Sequence, residues 1–217
     1  MYYKIPYFLG IEIKKKLKFG FLNPLLLSIV MTISVLLILN IDYDSYYESA
    51  KYISYLLTPA TICLAIPLYE QFEILKKNHK AVITGICVGA VTSMCVIFLM
   101  SVILGLSHED YITMLPKSIT TAIGMVLSDE MGGYAAITAV VIIITGVFGN
   151  VIAESVFKIF HINEPVAKGV ALGTSSHAIG TSKALELGGA EGAMSGLSIV
   201  IAGVVTVIGM NLFIGLY

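Results

Sequence analysis

Long apolar runs separated by short polar punctuation set the pattern of this chain. Phe21–Ile41, Ala81–Leu106, Gly132–Phe160 and Gly192–Tyr217 each continue for about 20 residues or more, the length needed to cross a hydrocarbon core of roughly 30 Å as a helix. Tyr52–Glu70 is apolar too, but Pro59 and Pro67 interrupt it. Between these runs, Asp42–Lys51 (DYDSYYESAK) reads as an acidic, tyrosine-rich interfacial loop, Gln71–Lys80 as a polar stretch carrying Lys76, Lys77 and Lys80, and Ser107–Tyr111 as an acidic turn. A short apolar piece, Ile5–Ile13, ends in KKKLK, so residues 1–20 are expected to form an interfacial helix or part of a first crossing.

The second half is less regular. Ile112–Met131 is short and holds Pro116, Lys117 and a Ser/Thr run; Gly169–Leu187 is rich in Gly, Ser and Thr. If 112–131 dips in and returns, Lys158 and Lys168 face the cytoplasm; if it crosses, they face outside. Charge favours the first, an inverted repeat the second. Interrupted segments at 56–70, 113–131 and 169–187 are the pattern by which a transporter site is recognised, because freed backbone groups there bind ions and half-helix ends attract them. The expected fold class is an all-α polytopic membrane protein of roughly six to eight membrane segments, several of them Pro/Gly-interrupted or re-entrant, in a single domain over residues 1–217, with an inverted repeat as one organisation of it.

Composition agrees. Of 217 residues 57% are hydrophobic and 12% charged, and mean hydropathy is +0.91, against roughly 25% charged in soluble domains. Lysines cluster before residue 20 and at 76–80, which predicts a cytoplasmic N-terminus. The run after Lys18 is too long for the core of a cleavable signal peptide. All 13 basic residues are Lys, so an anion must be held by ammonium groups, hydroxyls or helix ends without bidentate forks. No basic stripe suggests nucleic acid. Cys63, Cys87 and Cys95 lie in apolar stretches, and neither they nor His79, His108, His161 and His177 have metal-ligand spacing, so no cofactor or metal is expected. Ser175–Ser176–His177 lacks a nucleophile-elbow context, and no enzyme constellation is found.

Four stretches carry a family resemblance: LTPATICLAIPLYEQ at 57–71, PKSITTAIGM at 116–125, the runs at 132–140 and 144–149, and KGVALGTSSHAIGTSKALELGGAEGAMSGL at 168–197. In these, from about Leu22 onward, the chain resembles the LrgB/CidB family of bacterial membrane proteins and, through it, the C-terminal half of the plastid glycolate/glycerate transporter. The resemblance implies two functions. One is proton-coupled transport of small monocarboxylates such as glycolate, glycerate, pyruvate or lactate by alternating access. The other is an antiholin- or holin-like control of murein hydrolase activity and lysis with a small LrgA-like membrane partner. Glu154 and Thr58 depart from the pattern, where a Pro or apolar residue and a small residue are expected.

The candidate site residues follow. Lys117, after Pro116 and beside Ser118, Thr120 and Thr121, is the best placed to neutralise a carboxylate. His177, among Thr174, Ser175, Ser176 and Thr181, can titrate near neutrality and is the candidate proton-coupling group, with Glu130 as a second. Gly173 and Gly180, seven apart, are expected on one helix face, allowing close backbone approach. Thr61 lies near the Pro59 break; Pro59, Pro67 and Pro116 are the expected helix breaks. Asp129 and Glu130 read as a solvated boundary, Glu130 alternatively pairing with Lys117 or Lys183. Asn150 and Glu154 share a helix face, and Lys183 is spaced to pair with Glu186, which with Glu191 flanks Gly188–Gly189. Homodimerisation is expected because so small a chain has little material for both a scaffold and a moving part.

Overall fold

The computed structural model describes residues 24–56 and 65–217, with the isolated positions Glu12, Pro59, Ile62 and Cys63. The expected interfacial segment 1–20 (Glu12 apart), Thr61 and the neighbours of Pro59 lie outside the described residues. The chain divides into two compact units, residues 1–63 and 64–217. The first holds the apolar helix α1 (Pro24–Ile38) and then α2 (Tyr43–Ser54). Helix α2 occupies the stretch read as a loop. Asp42 caps it by accepting from the Ser45 backbone N–H at 3.0 Å, Lys51 pairs with Glu48 at 2.6 Å, and Tyr43 stacks on Tyr47. These local contacts close helical turns that composition alone does not suggest.

The second unit opens with α3 (Ala65–Glu70), which runs through Pro67, so the expected break at Pro67 is not there. The chain breaks at Gln71 and resumes as α4 (Phe72–Leu104). The polar stretch 72–80 is therefore helical, since Glu and Lys are good helix formers, and α4 ends on a left-handed Gly105 whose N–H reaches Ser101 O. After α4 come α5 (His108–Met114), α6 (Thr121–Glu130), α7 (Ala135–Ile159), α8 (Pro165–Leu187) and α9 (Gly189–Phe213), which ends in a 3₁₀ turn to Leu216. Among the described residues the regular elements are all helical.

Helices α4, α7 and α9 are long and apolar enough to cross a membrane. Their packing is inside-out relative to a water-soluble bundle. Helix α9 buries Ser195, Ser198, Thr206 and Gly209 and exposes Val200, Val204, Ile208 and Leu212. Small residues inward and branched apolar residues outward suit a lipid surroundings, where close backbone approach rather than the hydrophobic effect holds helices together.

The two irregular segments are both helical hairpins. In the first, α5 and α6 are joined by a turn at 115–120. Thr113 meets the start of α7: its Oγ1 accepts from the Tyr134 N–H at 2.8 Å, and its carbonyl accepts from Thr138 Oγ1 at 2.9 Å. Ser128 Oγ lies 2.8 Å from the same Thr138 hydroxyl, which ties both arms to the start of α7. In the second, α8 reverses at His177 (φ 42°, ψ −136°) into arms 165–176 and 178–187. A Cβ at Gly180 would collide with Leu172 O, eight residues back, whereas a straight helix would separate them by about 12 Å. Leu172 and Ala184 share one cluster with Ala153 and Phe157 of α7.

From base to tip of the second hairpin, its neighbours are Val82 then Gly89 on α4, Phe157 then Ile142 on α7, and Glu191 then Ser198 on α9. Helices α4 and α9 are thus parallel and α7 antiparallel to them. The first hairpin enters from the opposite end, against Met94 and Met210. A long helix plus a hairpin, residues 72–130, recurs upside down as 135–187.

Candidate functional site

The two hairpin tips meet at mid-height on α4. Ser118 of the first lies 3.0 Å from Ser93 by their hydroxyl oxygens, and one helical turn earlier Gly89 faces the Thr174 side chain of the second. Gly89 is needed for that approach, since a Cβ there would fall 2.8 Å from Thr174 Cγ2.

At the first tip Pro116 starts the turn after Leu115, and Lys117 folds back so that Nζ donates to Ser118 Oγ at 3.0 Å. Lys117 is half-buried, and among the described residues no carboxylate lies within ion-pair distance of it. Charges removed from water are normally paired. Lys183 shows the ordinary arrangement: it is buried and meets Glu154 at 2.5 Å and Glu186 at 3.1 Å. The Lys117 ammonium instead faces hydroxyls.

At the second tip the helix breaks in the sequence GTSSHAIGT. Ser175 Oγ donates to Ala171 O at 2.7 Å, so in its 3.0 Å pair with Ser176 the latter is the donor. His177 is buried, and its Nε2 lies 2.9 Å from Ile142 O. A carbonyl can only accept, so Nε2 carries a proton in this arrangement. The approach depends on Gly146, where a Cβ would sit 2.7 Å from the imidazole. The positive φ at His177 is a strained conformation for a side-chain-bearing residue, of the kind that costs roughly 1–3 kcal/mol and persists where surroundings enforce it.

Between the tips lies an open-sided cavity of about 410 Å³, with Gly85, Thr92, Val96, Ala171 and Ser175 of its lining exposed. Its walls are Gly85, Gly89, Thr92 and Ser93 of α4, Lys117 and Ser118 of the first tip, and Val170, Ala171, Thr174 and Ser175 of the second arm pair. Thr174 is 6% exposed, and its hydroxyl has no hydrogen-bond partner. Lys117, which meets no described acid, and Thr174, whose partnerless hydroxyl is closed off here and reaches the cavity by rotation of its side chain, are the donors this wall offers an anion.

Of the residues expected from sequence, Lys117, Ser118, Thr174 and Ser175 share this cavity, with Ser176 bonded to Ser175. The others are placed differently. His177 is turned towards α7. Thr181 donates to His177 O at 3.1 Å and lies 2.7 Å from Ser195 Oγ, joining the second arm to α9. Thr120 precedes α6 and Thr121 begins it. Gly173 and Gly180 are not on one face: the reversal at His177 puts them on opposite arms, Gly173 against Ser195 and Ser198, Gly180 against Leu172 and Ser176. Glu130 is exposed at the base of the first hairpin, and Lys183 pairs with Glu154 and Glu186 rather than with it. Asn150 Nδ2 donates to Ile179 O at 2.9 Å, so Asn150 and Glu154 both face the second arm.

The α4 wall was missed from sequence, because an uncharged run reads as a plain crossing. The available signal was the spacing of Gly85, Gly89, Thr92 and Ser93, a small and hydroxylated stripe at helical intervals in an otherwise bulky helix.

Comparison with known proteins gives a consistent result. The model of a family described as LrgB-like matches residues 5–216. Curated relatives in Bacillus cereus and Bacillus anthracis, each named antiholin-like protein LrgB, are 37% identical over 210 residues, covering 96% of this chain and 91% of their own length. No solved structure matches the chain.

Proposed function

The chain belongs to the LrgB-like family, and from that premise we propose that it is a secondary transporter of small organic monocarboxylates. The observation that carries the reading is the cavity between two oppositely inserted hairpin tips, with Lys117 unopposed by any described carboxylate. A glycolate- or pyruvate-sized anion accepts from Lys117 Nζ, Ser118 and the orphaned Thr174 hydroxyl. The hairpins enter from opposite ends, so small shifts of either tip expose the cavity to one side at a time, which is alternating access.

Five lysines, Lys76, Lys77, Lys80, Lys158 and Lys168, lie at the end where the second hairpin enters, and the acids Glu109, Asp110, Asp129 and Glu130 at the other. This supports a cytoplasmic position for the lysine-rich end in a bacterial cytoplasmic membrane. Proton coupling is assigned to His177, whose imidazole is held at the tip by Ile142 O. Glu130, at the exposed hairpin base, is the weaker candidate. A homodimer completes the reading.

A second reading is favoured by the relatives' printed name: an antiholin-like regulator of murein hydrolase activity acting with an LrgA-like membrane partner. The separating experiment is uptake of labelled glycolate, pyruvate and lactate by proteoliposomes of the chain, alone and with such a partner, with and without a proton gradient. Saturable, gradient-dependent uptake lost in Lys117→Ala supports transport. Its absence under every condition, with a correctly folded protein, refutes it.

A further inference from the structure

We propose that solute reaches the central cavity through a passage between α4 and the first arm of the second hairpin, and that Gly85 sets the width of that passage. The inference rests on the reading of the central cavity as a solute site. Its evidence is a chain of three cavities with shared walls. The central one, of about 410 Å³, has Gly85, Val170 and Ala171 in common with a second of about 530 Å³. The second has Asn78, Glu164 and Val166 in common with a third of about 470 Å³, whose rim carries Lys77 and Glu73. Together they run from mid-height to the lysine-rich end, over roughly 16 Å of α4 between Asn78 and Gly89.

The opposite direction is filled. Beyond the Lys117–Ser118 tip lie Met94, Ile112, Leu115 and Ile119, each no more than 2% exposed. Among the described residues the open-sided cavities therefore continue towards one end and stop at the other. Gly85 stands at the joint between the inner two cavities. A Cβ there would lie 3.4 Å from Val170 Cγ1, ordinary van der Waals contact, so a single methyl already brings the two walls together. Alanine fits, and a larger side chain occupies the passage. The expected solute is correspondingly a small, unbranched carboxylate.

The test is thiol accessibility in a background with Cys63, Cys87 and Cys95 replaced by Ser. Asn78→Cys, Ala167→Cys, Val170→Cys and Ser175→Cys report on the passage. Ile112→Cys reports on the filled side, and Val88→Cys, on the outward apolar face at 59% exposure, reports on lipid. A membrane-impermeant, charged thiol reagent applied from the lysine-rich side should label the four passage positions at least tenfold faster than Val88→Cys and Ile112→Cys. Adding Gly85→Leu should slow Ser175→Cys at least tenfold and leave Asn78→Cys unchanged, which also checks folding; Gly85→Ala gives a smaller slowing if the leucine variant does not fold. Passage positions as slow as Val88→Cys would show a lipid-filled groove and overturn the proposal. So would an unchanged Ser175→Cys rate in both Gly85 variants. Labelling needs no transport, so the expected pattern without uptake sinks the transporter reading alone, and uptake with lipid-like labelling sinks the passage alone.

Discussion

Thr174→Val separates a solute-binding cavity from a packing defect. The Thr174 hydroxyl has less than 1 Å² of accessible surface and no partner. Burying a hydroxyl without a hydrogen bond costs about 1–3 kcal/mol in protein mutational data. Valine keeps the shape, so it should stabilise the protein without solute by about 1–2 kcal/mol. At about 2–4 °C per kcal/mol for a chain this size, the melting point in detergent, followed by far-UV circular dichroism, rises by about 2–8 °C. With a carboxylate bound the sign reverses. A hydrogen bond to a charged group contributes about 1.5–3 kcal/mol, so losing it weakens affinity by roughly tenfold to a hundredfold. At a solute concentration of about 100 times Kd the wild type gains roughly 2.7 kcal/mol; a tenfold weaker variant gains about half of that. One substitution should raise the baseline and shrink the solute response. A lower baseline would show that the hydroxyl has a partner without solute, and an undiminished response that it does not face the solute. Either refutes the reasoning.

Three further outcomes are expected. Lys117→Gln should leave helix content unchanged and abolish carboxylate-dependent thermal stabilisation; a retained shift would place the anion elsewhere. Gly146→Val should cost about 2–4 kcal/mol, combining an overpacked contact of roughly 1–3 kcal/mol with the loss of the His177–Ile142 hydrogen bond, measured as the shift in the denaturation midpoint. Lys183 predicts an asymmetry, because its side chain is 9% exposed while Glu154 and Glu186 are 52% and 59% exposed. Lys183→Met should change stability by no more than about 1 kcal/mol, since both acids rehydrate, whereas Glu154→Gln with Glu186→Gln leaves a buried ammonium and should cost about 3–5 kcal/mol. Equal effects would refute this account of the cluster.

The long helices were legible because an apolar run of membrane length admits few other conformations. Lys117 and Ser118 stood out because charge and hydroxyls are rare in such a chain. The reversal at His177 was not legible. GTSSHAIGT is small and polar enough for a straight helix or a tight turn, and the choice is made by α7, through Ile142 O, Gly146 and Gly149. Assuming continuity there put Gly173 and Gly180 on one face. The Lys183–Glu186 pair was readable from its spacing of three, but Glu154, 29 residues earlier, enters only once the second arm lies along α7. Helix α2 was missed for the opposite reason: its cap, ion pair and ring stack are local and individually weak, and hydropathy outweighed them.

The second hairpin meets its surroundings at several glycines: Gly89 on α4 and Gly146 and Gly149 on α7 face its side chains, and its own Gly169 and Gly173 press backbone on backbone against α9. Interlocked side chains resist sliding, because each must change rotamer to pass its neighbour. A glycine opposite offers fewer teeth. The hairpin sits in its sleeve like a piston, with the Lys183–Glu154 pair, the His177–Ile142 and Asn150–Ile179 bonds and the Thr181–Ser195 contact as its catches, so the friction opposing its travel falls at a few named contacts and is open to measurement one catch at a time.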